Sequence, residues 1–555
     1  MIFEAVALFL VALTGRPRLS LWIEGVVFWL FAIANTLVYS FRGSYIMIWD
    51  FIAIPTAMNV ASNYSYRLTG RAIFWSVAFL ALFVLIWFCR SDVKRFLNTL
   101  WKRAAVAVAA VIFLVSLTKL VQMEPVKEFL DINDSRFSIE RVTEENGMML
   151  GFLYKMKYMS VYVPGDYSAA EEAGVIEDTK VEGGEKLPAD FVYPDIVVVM
   201  NEAMSDLAVD CPIETNEDYL PFIHSLQEGA ENTITGYMNA SVLGGKTPNT
   251  EFEFLTGNTM AFLPEDSIAF QQFVKREIDA MPRHLGTLGY ESVAMHPYDS
   301  SGWDRTMAYP LLGFGRCHFK DYFDLSQENL IRDYMSDSAF FRKIEEEVAD
   351  LGKDGKPVFS FNVTMQNHSG YGGSVTGAKK LIKVKNAQNS DPDALQKLEN
   401  YLTLMRLSDD AFREMVEYYK GVDRPTILVT FGDHQPATNI LSPMFPEGES
   451  LDEEGRADNY RVPFVIWANY DIEEGQGIET SANYLGNLVL KAAGIPLSRY
   501  RTRIDEFSQK YPVLTAVRSV DDKGVTKQMD GRDPVYEDYV KLQYYELFDD
   551  SDQYP

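Results

Sequence analysis

Four strongly apolar stretches near the N-terminus restrict the fold of this chain more than any other feature. They cover residues 1–13, 22–40, 72–89 and 104–121. The last three approach the roughly 20 residues that a helix needs to cross a bilayer, whereas the first is short. An apolar N-terminus is also compatible with a cleaved signal, but the apolar stretches that follow favour an anchor. We therefore expect a multi-pass helical membrane domain over residues 1–121.

The segment 43–68 leaves the number of membrane crossings open. It contains residues that are unfavourable in lipid, namely Asp50, Pro55, Asn59, Asn63 and Arg67. We interpret it as an interfacial or re-entrant segment, with a fifth spanning helix as the alternative.

Basic residues indicate how the membrane domain is oriented. Five of them lie between the third and fourth apolar stretches, with only Asp92 against them: Arg90, Lys94, Arg95, Lys102 and Arg103. Loops rich in Lys and Arg stay on the cytoplasmic side, so the stretch 104–121 should run outward. Arg16 and Arg18 mark a second cytoplasmic loop if residues 43–68 do not span. The sequence thus predicts a cell-membrane protein whose later part lies outside the cell.

The remainder of the chain is predicted to contain a connector and a globular domain. Its 555 residues are too many for one compact core. Residues 122–190 are expected to form a juxtamembrane connector. The later part of this connector, with Gly174, Gly183, Gly184 and many acids, is typical of a solvated linker. The net charge of −27 lies mostly beyond the apolar part and argues against a nucleic-acid partner.

Short apolar runs alternate with helical stretches from residue 191 to the end, at residue 555. The runs are Asp195–Met200, Ser292–Met295, Val358–Val363, Thr426–Phe431 and Pro463–Trp467. Residues 394–420 show the spacing of a long amphipathic helix. This alternation predicts an extracellular α/β domain with a largely parallel sheet, attached to the N-terminal helical anchor.

Polar residues follow four of these runs. They are Asn201 and Glu202; His296, Tyr298, Asp299, Trp303 and Arg305; His368; and Asp433 and His434. Each alone has an ordinary structural explanation, such as a helix cap, a buried imidazole or a turn. Ligands of open α/β sheets bind beyond the carboxyl ends of the strands, where these residues are expected to converge.

A short stretch, Gly244–Phe252, is the candidate for the reacting group. Gly244 and Gly245 permit close approach of the backbone to a ligand. Lys246 supplies a positive charge, and Thr247 supplies a hydroxyl that a metal or a base must activate. The alternative is a glycine-rich turn with Thr247 as a helix cap.

The carboxylates, imidazole and hydroxyl together predict one bound divalent metal. Oxygen ligands with one nitrogen favour Mn²⁺ or Mg²⁺, and Zn²⁺ also fits. Such an ion would lower the pKa of the Thr247 hydroxyl. Arg305 is a candidate phosphate ligand because its planar fork matches phosphate oxygens. His368 is a candidate proton donor to the leaving oxygen.

These residues, in this order, resemble the lipoteichoic acid synthase family of the alkaline phosphatase and sulfatase superfamily. The most specific matching segments are Gly245-Lys246-Thr247 with Glu251-Phe252, Trp303-Asp304-Arg305, Asn367-His368 and Gly432-Asp433-His434. The resemblance implies a sulfatase-like fold and a metal held by Glu202, Thr247, Asp433 and His434. It assigns phosphoglycerol contacts to Trp303 and Arg305, and substrate-site roles to His296 and His368. Lys246 is added as a substrate-binding residue because of its charge.

The reaction that the resemblance implies has two halves. Thr247 takes glycerol phosphate from phosphatidylglycerol and releases diacylglycerol, and an acceptor hydroxyl then takes the group from Thr247. The acceptor is a polyglycerolphosphate chain or another glycan or glycolipid. Pro248-Asn249-Thr250 departs from the small or acidic run expected after the nucleophile.

Three other functions remain as alternatives. A sulfatase would need a Cys or Ser where this chain has Thr247. A phosphoethanolamine transferase would carry several disulfides, whereas only Cys211 and Cys317 lie outside the membrane part, where they could form one pair. A catalytically silent sulfatase-like protein acting as a binding module would not need the complete set of candidate ligands.

Overall fold

The computed structural model describes most of the chain. The described residues are 1–42, 45–46, 48–51, 54, 70–88, 97–130, 132, 143, 145–155, 160–181, 187–188, 191–300, 302–373, 375, 381–389 and 391–549. Most of the segment 43–68 lies outside them, as do Arg90, Lys94 and Arg95, so both readings of that segment remain predictions. The chain divides into one unit containing Met1–Phe51 and Tyr64–Ser160 and a second containing Val161–Pro555.

Four apolar helices account for most of the first unit. They are α1 (Ile2–Thr14), α2 (Pro17–Arg42), α3 (Gly70–Phe88) and α4 (Leu100–Val121), followed by the short helices α5 (Glu124–Phe129) and α6 (Met148–Lys155). Three segments are long and apolar enough to cross a membrane: Pro17–Tyr39, Gly70–Phe88 and Leu100–Val121. With 13 residues, α1 is shorter than a spanning helix, as the sequence predicts.

An eight-stranded sheet forms the centre of the second unit. Its strands are β1 (Asp195–Asn201), β2 (Thr233–Asn239), β3 (Glu291–Met295), β4 (Arg316–His318), β7 (Val358–Val363), β8 (Thr426–Gly432), β9 (Arg461–Ala468) and β10 (Gly475–Ser481). The spatial order is β10-β2-β9-β8-β1-β7-β3-β4. Only β9 runs antiparallel to its neighbours, β2 and β8. The predicted fold class, a helical membrane part followed by an α/β domain with a largely parallel sheet, is confirmed.

Helices cover both faces of this sheet. In β1, Ile196, Val198 and Met200 belong to one apolar core, while Val197 and Val199 belong to the other. The first core includes residues of α9 (Thr247–Thr256), α10 (Ala269–Gln272), α11 (Met281–Thr287), α12 (Arg305–Leu312) and α16 (Ala482–Ala492). The second includes residues of α8 (Pro221–Gln227), α13 (Asp337–Leu351) and α14 (Pro392–Lys420). Burial on both faces explains why the central strands are nearly continuous apolar runs.

Smaller elements complete the unit. The hairpin of β5 (Leu330–Ile331) and β6 (Tyr334–Met335) precedes α13, and α15 (Glu453–Asp458) precedes β9. A third apolar core lies near the C-terminus among α17 (Arg499–Lys510), α18 (Glu537–Phe548) and a small antiparallel sheet. The strands of that sheet are β11 (Val513–Leu514), β12 (Arg518–Val520) and β13 (Thr526–Gln528).

The later connector differs from the solvated linker that its glycines and acids predict. It contains a helix, α7 (Ala169–Asp178), whose Ile176 packs against the third core. Just before this helix, the Tyr167 hydroxyl donates to the Asp549 carboxylate at 2.7 Å. In the division of the chain into two units, the residues from Val161 onward belong to the second unit, and the predicted domain boundary near residue 191 remains a prediction.

Two further differences concern strands and cysteines. The strands β2 and β10 were not predicted because their sequences are rich in polar residues and glycine. Gly236 in β2 has no room for a side chain, since a Cβ there would lie 1.9 Å from the Ile478 carbonyl of β10.

Cys211 and Cys317 are both free thiols, so the pairing that the sequence allowed is absent from this structure.

Candidate active site

The candidate site lies at the carboxyl ends of the central parallel strands. Glu202 follows β1, His296 follows β3 and Asp433 follows β8, all directly, while His368 lies five residues beyond β7. Thr247 is the first residue of α9. Because parallel strands end at one edge of a sheet, residues far apart in sequence meet here.

Three of the predicted metal ligands form a compact buried group. One ligand atom each from Glu202, Asp433 and His434 lies within 4.8 Å of the other two. The Thr247 hydroxyl donates to Oε2 of Glu202 at 3.4 Å and so joins the group. Burial and the charge of Asp433 raise the pKa of Glu202 well above its usual value. A bound cation would relieve that repulsion.

Asp433 and His434 direct unpaired acceptor atoms toward each other. Oδ1 of Asp433 accepts from the backbone N–H groups of Ala203 and His434, at 2.7 and 2.9 Å. Nδ1 of His434 donates to the Gln435 carbonyl at 2.8 Å, which leaves Nε2 as the acceptor. Nε2 lies 3.1 Å from Oδ2 of Asp433, and neither atom has a hydrogen-bond donor among the described residues. Two buried lone-pair atoms at this distance fit a metal ion, and Mn²⁺, Mg²⁺ and Zn²⁺ all suit the donor set.

The loop before Thr247 is tied to the loop that carries Asp433. Gly244, Gly245 and Lys246 all have positive φ angles, of 68°, 151° and 66°. The N–H of Gly244 donates to the Gln435 carbonyl at 3.0 Å, and the Thr250 hydroxyl donates to the Asp433 carbonyl at 2.6 Å. Pro248 lies in the first turn of α9, where its missing N–H costs nothing. These contacts fix the nucleophile candidate against the metal ligands.

The Lys246 side chain is engaged within the protein. Its Nζ donates to Oδ1 of Asp266 at 2.8 Å and to the Asp266 carbonyl at 3.0 Å. The pair is largely buried. The substrate-binding role of Lys246 therefore remains a prediction, and in this structure its charge is balanced by Asp266.

Arg305 is held by the carboxylate of Glu251, for which the sequence analysis predicts no role. Its Nε donates to Glu251 Oε1 and Oε2 at 3.0 and 3.3 Å, and its Nη2 donates to Oε1 at 2.5 Å. The Tyr309 hydroxyl donates to Oε2 at 2.6 Å. Before Arg305, Trp303 is half-buried in a left-handed turn with φ of 60°. A buried acid in a helix needs a partner, and that requirement is the sequence signal that could have singled out Glu251.

The two predicted substrate-site histidines are neutral in the metal-free protein. Nδ1 of His296 donates to the Val363 carbonyl at 3.0 Å, and burial with the Arg305 charge lowers the pKa of His296 well below its usual value. Burial and the charge of Arg332 lower the pKa of His368 to about 4.

A hairpin holds the loop that carries His368. The Tyr334 hydroxyl is 3.1 Å from Nδ1 of His368, and Nη2 of Arg332 donates to the His368 carbonyl at 2.7 Å. Neither Arg332 nor Tyr334 lies in a recognisable motif, so these contacts could not be predicted from the sequence.

Comparison with known proteins places this geometry in context. The family model described as Sulfatase matches residues 194–495. A protein of Rhizobium meliloti named for cyclic β-1,2-glucan modification is 30% identical over 66% of this chain and 56% of its own length. Lipoteichoic acid synthase 1 of Bacillus subtilis is 24% identical over 49% of this chain and 41% of its own length.

The solved structure of the phosphoglycerol transferase GacH from Streptococcus pyogenes, in complex with sn-glycerol-1-phosphate, has a similar fold. It aligns with a TM-score of 0.54 at 19% identity, covering 70% of this chain and 96% of that one. The alignments with the two curated relatives span only about half of those proteins.

Proposed function

The chain belongs to the sulfatase family, and from that membership we propose that it transfers glycerol phosphate from phosphatidylglycerol to a cell-envelope glycan. The observation that carries the proposal is the Thr247 hydroxyl, 3.4 Å from Glu202 and beside the buried group of Glu202, Asp433 and His434. A hydroxyl next to metal-ligand side chains is what covalent transfer at phosphorus requires. Three helices able to span a membrane suit an enzyme with a phospholipid donor, and its catalytic unit is proposed to lie outside the cell.

In the first half of the reaction, Oγ1 of Thr247 attacks the donor phosphorus. A bond forms between Oγ1 and phosphorus while the bond from phosphorus to the glyceride oxygen breaks. Diacylglycerol leaves with the proton that the hydroxyl gives up. In the second half, an acceptor hydroxyl attacks the same phosphorus, the bond from phosphorus to Oγ1 breaks, and the proton of the acceptor hydroxyl returns to Thr247. This route lets one alcohol leave before the next enters.

The side chains divide the remaining tasks. Glu202, Thr247, Asp433 and His434 would hold one divalent ion, which would lower the pKa of the Thr247 hydroxyl and balance phosphate charge. Arg305 and His296 are proposed to face the phosphoryl oxygens, and Trp303 the small head group. His368 is neutral and suited to accept the proton of the acceptor hydroxyl. Its earlier task, giving a proton to the glyceride oxygen, needs the anionic phosphate nearby to raise its pKa.

Two classes of acceptor compete. A glycan is favoured because the relative at 30% identity is named for the modification of a cyclic glucan. A growing polyglycerolphosphate chain is the second candidate, supported by the likeness to a lipoteichoic acid synthase.

The test uses the full chain in liposomes that contain labelled phosphatidylglycerol, with Mn²⁺ present. We expect diacylglycerol release, and transfer of label to added cyclic β-1,2-glucan. Thr247→Ala should release none, while Thr247→Ser should keep part of the activity because it retains a hydroxyl. Mass spectrometry of trapped protein should place glycerol phosphate on the peptide containing Thr247.

Other outcomes would redirect the proposal. Release from phosphatidylethanolamine alone would indicate a phosphoethanolamine transferase. Protein that neither retains metal nor turns over any donor would indicate a binding module. Undiminished release by Thr247→Ala would remove Thr247 as the nucleophile.

A further inference from the structure

Glu251 is a buried carboxylate that the transfer steps above leave unused. It lies one helical turn after Thr247 on α9, and its side chain is fully buried. It accepts three contacts from Arg305 and one from Tyr309, whose hydroxyl approaches Oε2 at 2.6 Å. A buried charge is stable only when paired, and here both partners are held by α12.

We propose that Glu251 is a positioning residue: with Tyr309 it fixes the guanidinium of Arg305 so that Nη1 is presented to an anionic phosphoryl oxygen. The identity of the substrate in this inference rests on the proposed function.

The division of the guanidinium between two partners supports the inference. Glu251 occupies Nε and Nη2, which form one edge of the fork. Nη1 makes no hydrogen bond to any residue that the structure describes, and a Cβ added to Gly302 would lie 3.6 Å from it. Glu251, the partner of Arg305, lies one turn after Thr247 on α9, which places the guanidinium near the candidate nucleophile. One edge is therefore fixed, and one donor nitrogen remains for a ligand.

The same helix supplies a matched control for a merely structural role. Glu253 is also a buried carboxylate of α9, and its Oε1 accepts from Ser241, Thr259 and the Met260 N–H at 2.8, 3.1 and 2.8 Å. Among the described residues, Glu253 forms no hydrogen bond or ion pair with Arg305. Glu251→Gln and Glu253→Gln are isosteric and remove one buried charge each from one helix, so only the coupling to Arg305 distinguishes them.

The experiment measures binding of glycerol phosphate to the full chain in detergent at saturating Mn²⁺. Glu251→Gln should raise the Kd about tenfold, since a charge-assisted pair that orients the ligand-binding group is lost. Glu253→Gln should change it less than about twofold because its hydrogen bonds lie elsewhere. In an Arg305→Met background, Glu251→Gln should raise the Kd by less than about twofold beyond that of Arg305→Met alone, because the effect of Glu251 passes through Arg305.

Contrary outcomes are clear. An unchanged Kd in Glu251→Gln, or an equal loss in both Arg305 backgrounds, would overturn the positioning role. Should Glu251→Gln fail to fold, Tyr309→Phe removes only one contact to Glu251 and should raise the Kd about threefold; no change there would also overturn it.

The inference and the proposed function fail in different ways. If the wild type releases no diacylglycerol but the Kd for glycerol phosphate follows the expected pattern, the function is wrong and the positioning role stands. If diacylglycerol is released but the variants bind glycerol phosphate as the wild type does, the positioning role is wrong and the proposed function stands. A wild type that binds no glycerol phosphate would overturn the inference directly.

Discussion

Among single residues, Asp433 shows most clearly how a proposed metal ligand can also be held by the fold. Its Oδ1 is saturated by two backbone N–H groups, from Ala203 after β1 and from His434 beside it. Its Oδ2 receives no hydrogen bond from the part of the chain that the structure describes, and it faces Nε2 of His434. The backbone contacts fix the carboxylate without an ion, so the proposed metal site would be organised before a metal binds.

Asp433→Asn is expected to abolish metal binding while preserving the fold. The amide oxygen can take over the two backbone contacts, and the amide NH₂ then donates to Nε2 of His434 and fills the metal position. Metal analysis after dialysis against Mn²⁺ should show at least about a tenfold loss of bound ion, as for removal of a first ligand. Thermal unfolding of the metal-free protein should change little.

The control is Asp409→Asn on α14. Asp409 is also a buried carboxylate with two backbone donors, the N–H groups of Phe222 and Ile223. It should keep its metal even if it loses stability. Equal Mn²⁺ content in Asp433→Asn and the wild type would remove Asp433 from the ligand set.

Tyr334→Phe should slow turnover without weakening donor binding. The substitution removes only the hydroxyl that orients the His368 ring at 3.1 Å. Loss of one such hydrogen bond is worth about 1 kcal/mol, so kcat should fall roughly five- to tenfold while KM for the donor stays within about twofold. Steady-state kinetics of diacylglycerol release in liposomes give both numbers.

Tyr290→Phe provides the comparison for Tyr334→Phe. Tyr290 donates to the Pro194 carbonyl, which precedes β1 at the opposite end of the strands from the site. Its loss should leave kcat unchanged. A fall in KM and kcat common to both variants would show a general packing effect and not a role for Tyr334 at His368.

At the scale of elements, the strand ends determine where the candidate site residues lie. Gly432 ends β8, and a Cβ at this position would lie 1.9 Å from the Met204 carbonyl, in the loop that follows β1. The two loops that carry Glu202 and Asp433 can approach only because this residue has no side chain. The glycine of the Gly432-Asp433-His434 motif thus has a steric role that its sequence context did not reveal.

Gly432→Ala should therefore both destabilise the protein and empty the metal site. Because the clash is with backbone, we expect a loss of about 3 kcal/mol or more in unfolding free energy, together with reduced Mn²⁺ binding. Gly286→Ala in α11 is the matched control, since no atom lies within 4 Å of its added Cβ. It should be neutral or stabilising by up to about 1 kcal/mol. Chemical denaturation measures the unfolding free energy, and metal analysis measures the bound Mn²⁺. A Gly432→Ala protein with wild-type values of both would refute the steric account.

The elements that could best be predicted from the sequence are those whose own residues show a clear apolar pattern. The runs of β1, β7, β8 and β9 are apolar because helices cover both sheet faces, and that pattern is visible in one dimension. The strands β2 and β10 carry polar residues and glycines, and only their position beside β9 makes them strands. The helix α7 is likewise decided by its contact with the C-terminal helices.

For the molecule as a whole, candidate ligands could be predicted from sequence but their partners could not. Glu202, Asp433 and His434 converge because parallel strands share an edge, a rule that needs no coordinates. The pairing of Lys246 with Asp266, and of Arg305 with Glu251, depends on how separate loops and helices pack. Lys246 and Arg305, which the sequence predicts to bind substrate, are therefore each paired with a carboxylate. Only the tertiary packing determines these pairs.

The second unit contains several buried acids whose charge is unfavourable in the folded state. Burial raises the pKa of Asp210, Glu253 and Glu345 to about 7, and that of Asp337 and Asp409 to about 6. Each such group binds more protons when folded than unfolded, so its stabilisation is complete below the unfolded pKa near 4. That stabilisation is lost as the pH rises through 6 to 7.

A histidine extends the same trend to higher pH. A hydrogen bond to Asp206, opposed by burial and aided by Asp218, raises the pKa of His224 to about 9. Its contribution is fully present below the unfolded pKa of about 6.5 and is lost as the pH rises through 9. Between pH 5 and 9, a rise in pH therefore lowers the free energy of unfolding through both the acids and this histidine.

We accordingly predict that the metal-free full chain is most stable near pH 5 and that its thermal midpoint falls steadily toward pH 9. The measurement is thermal unfolding in detergent with a chelator, because metal binding would add an opposing pH dependence.

Glu253→Gln provides the internal check: it keeps the oxygen that Ser241, Thr259 and Met260 contact but cannot ionise. The raised pKa of Glu253 corresponds to a loss of up to about 3 kcal/mol at neutral pH. The variant should therefore show a shallower decline between pH 5 and 7 and the wild-type slope above pH 8. A midpoint that rises from pH 5 to 8, or an unchanged slope in Glu253→Gln, would show that these buried acids do not control the stability of the protein.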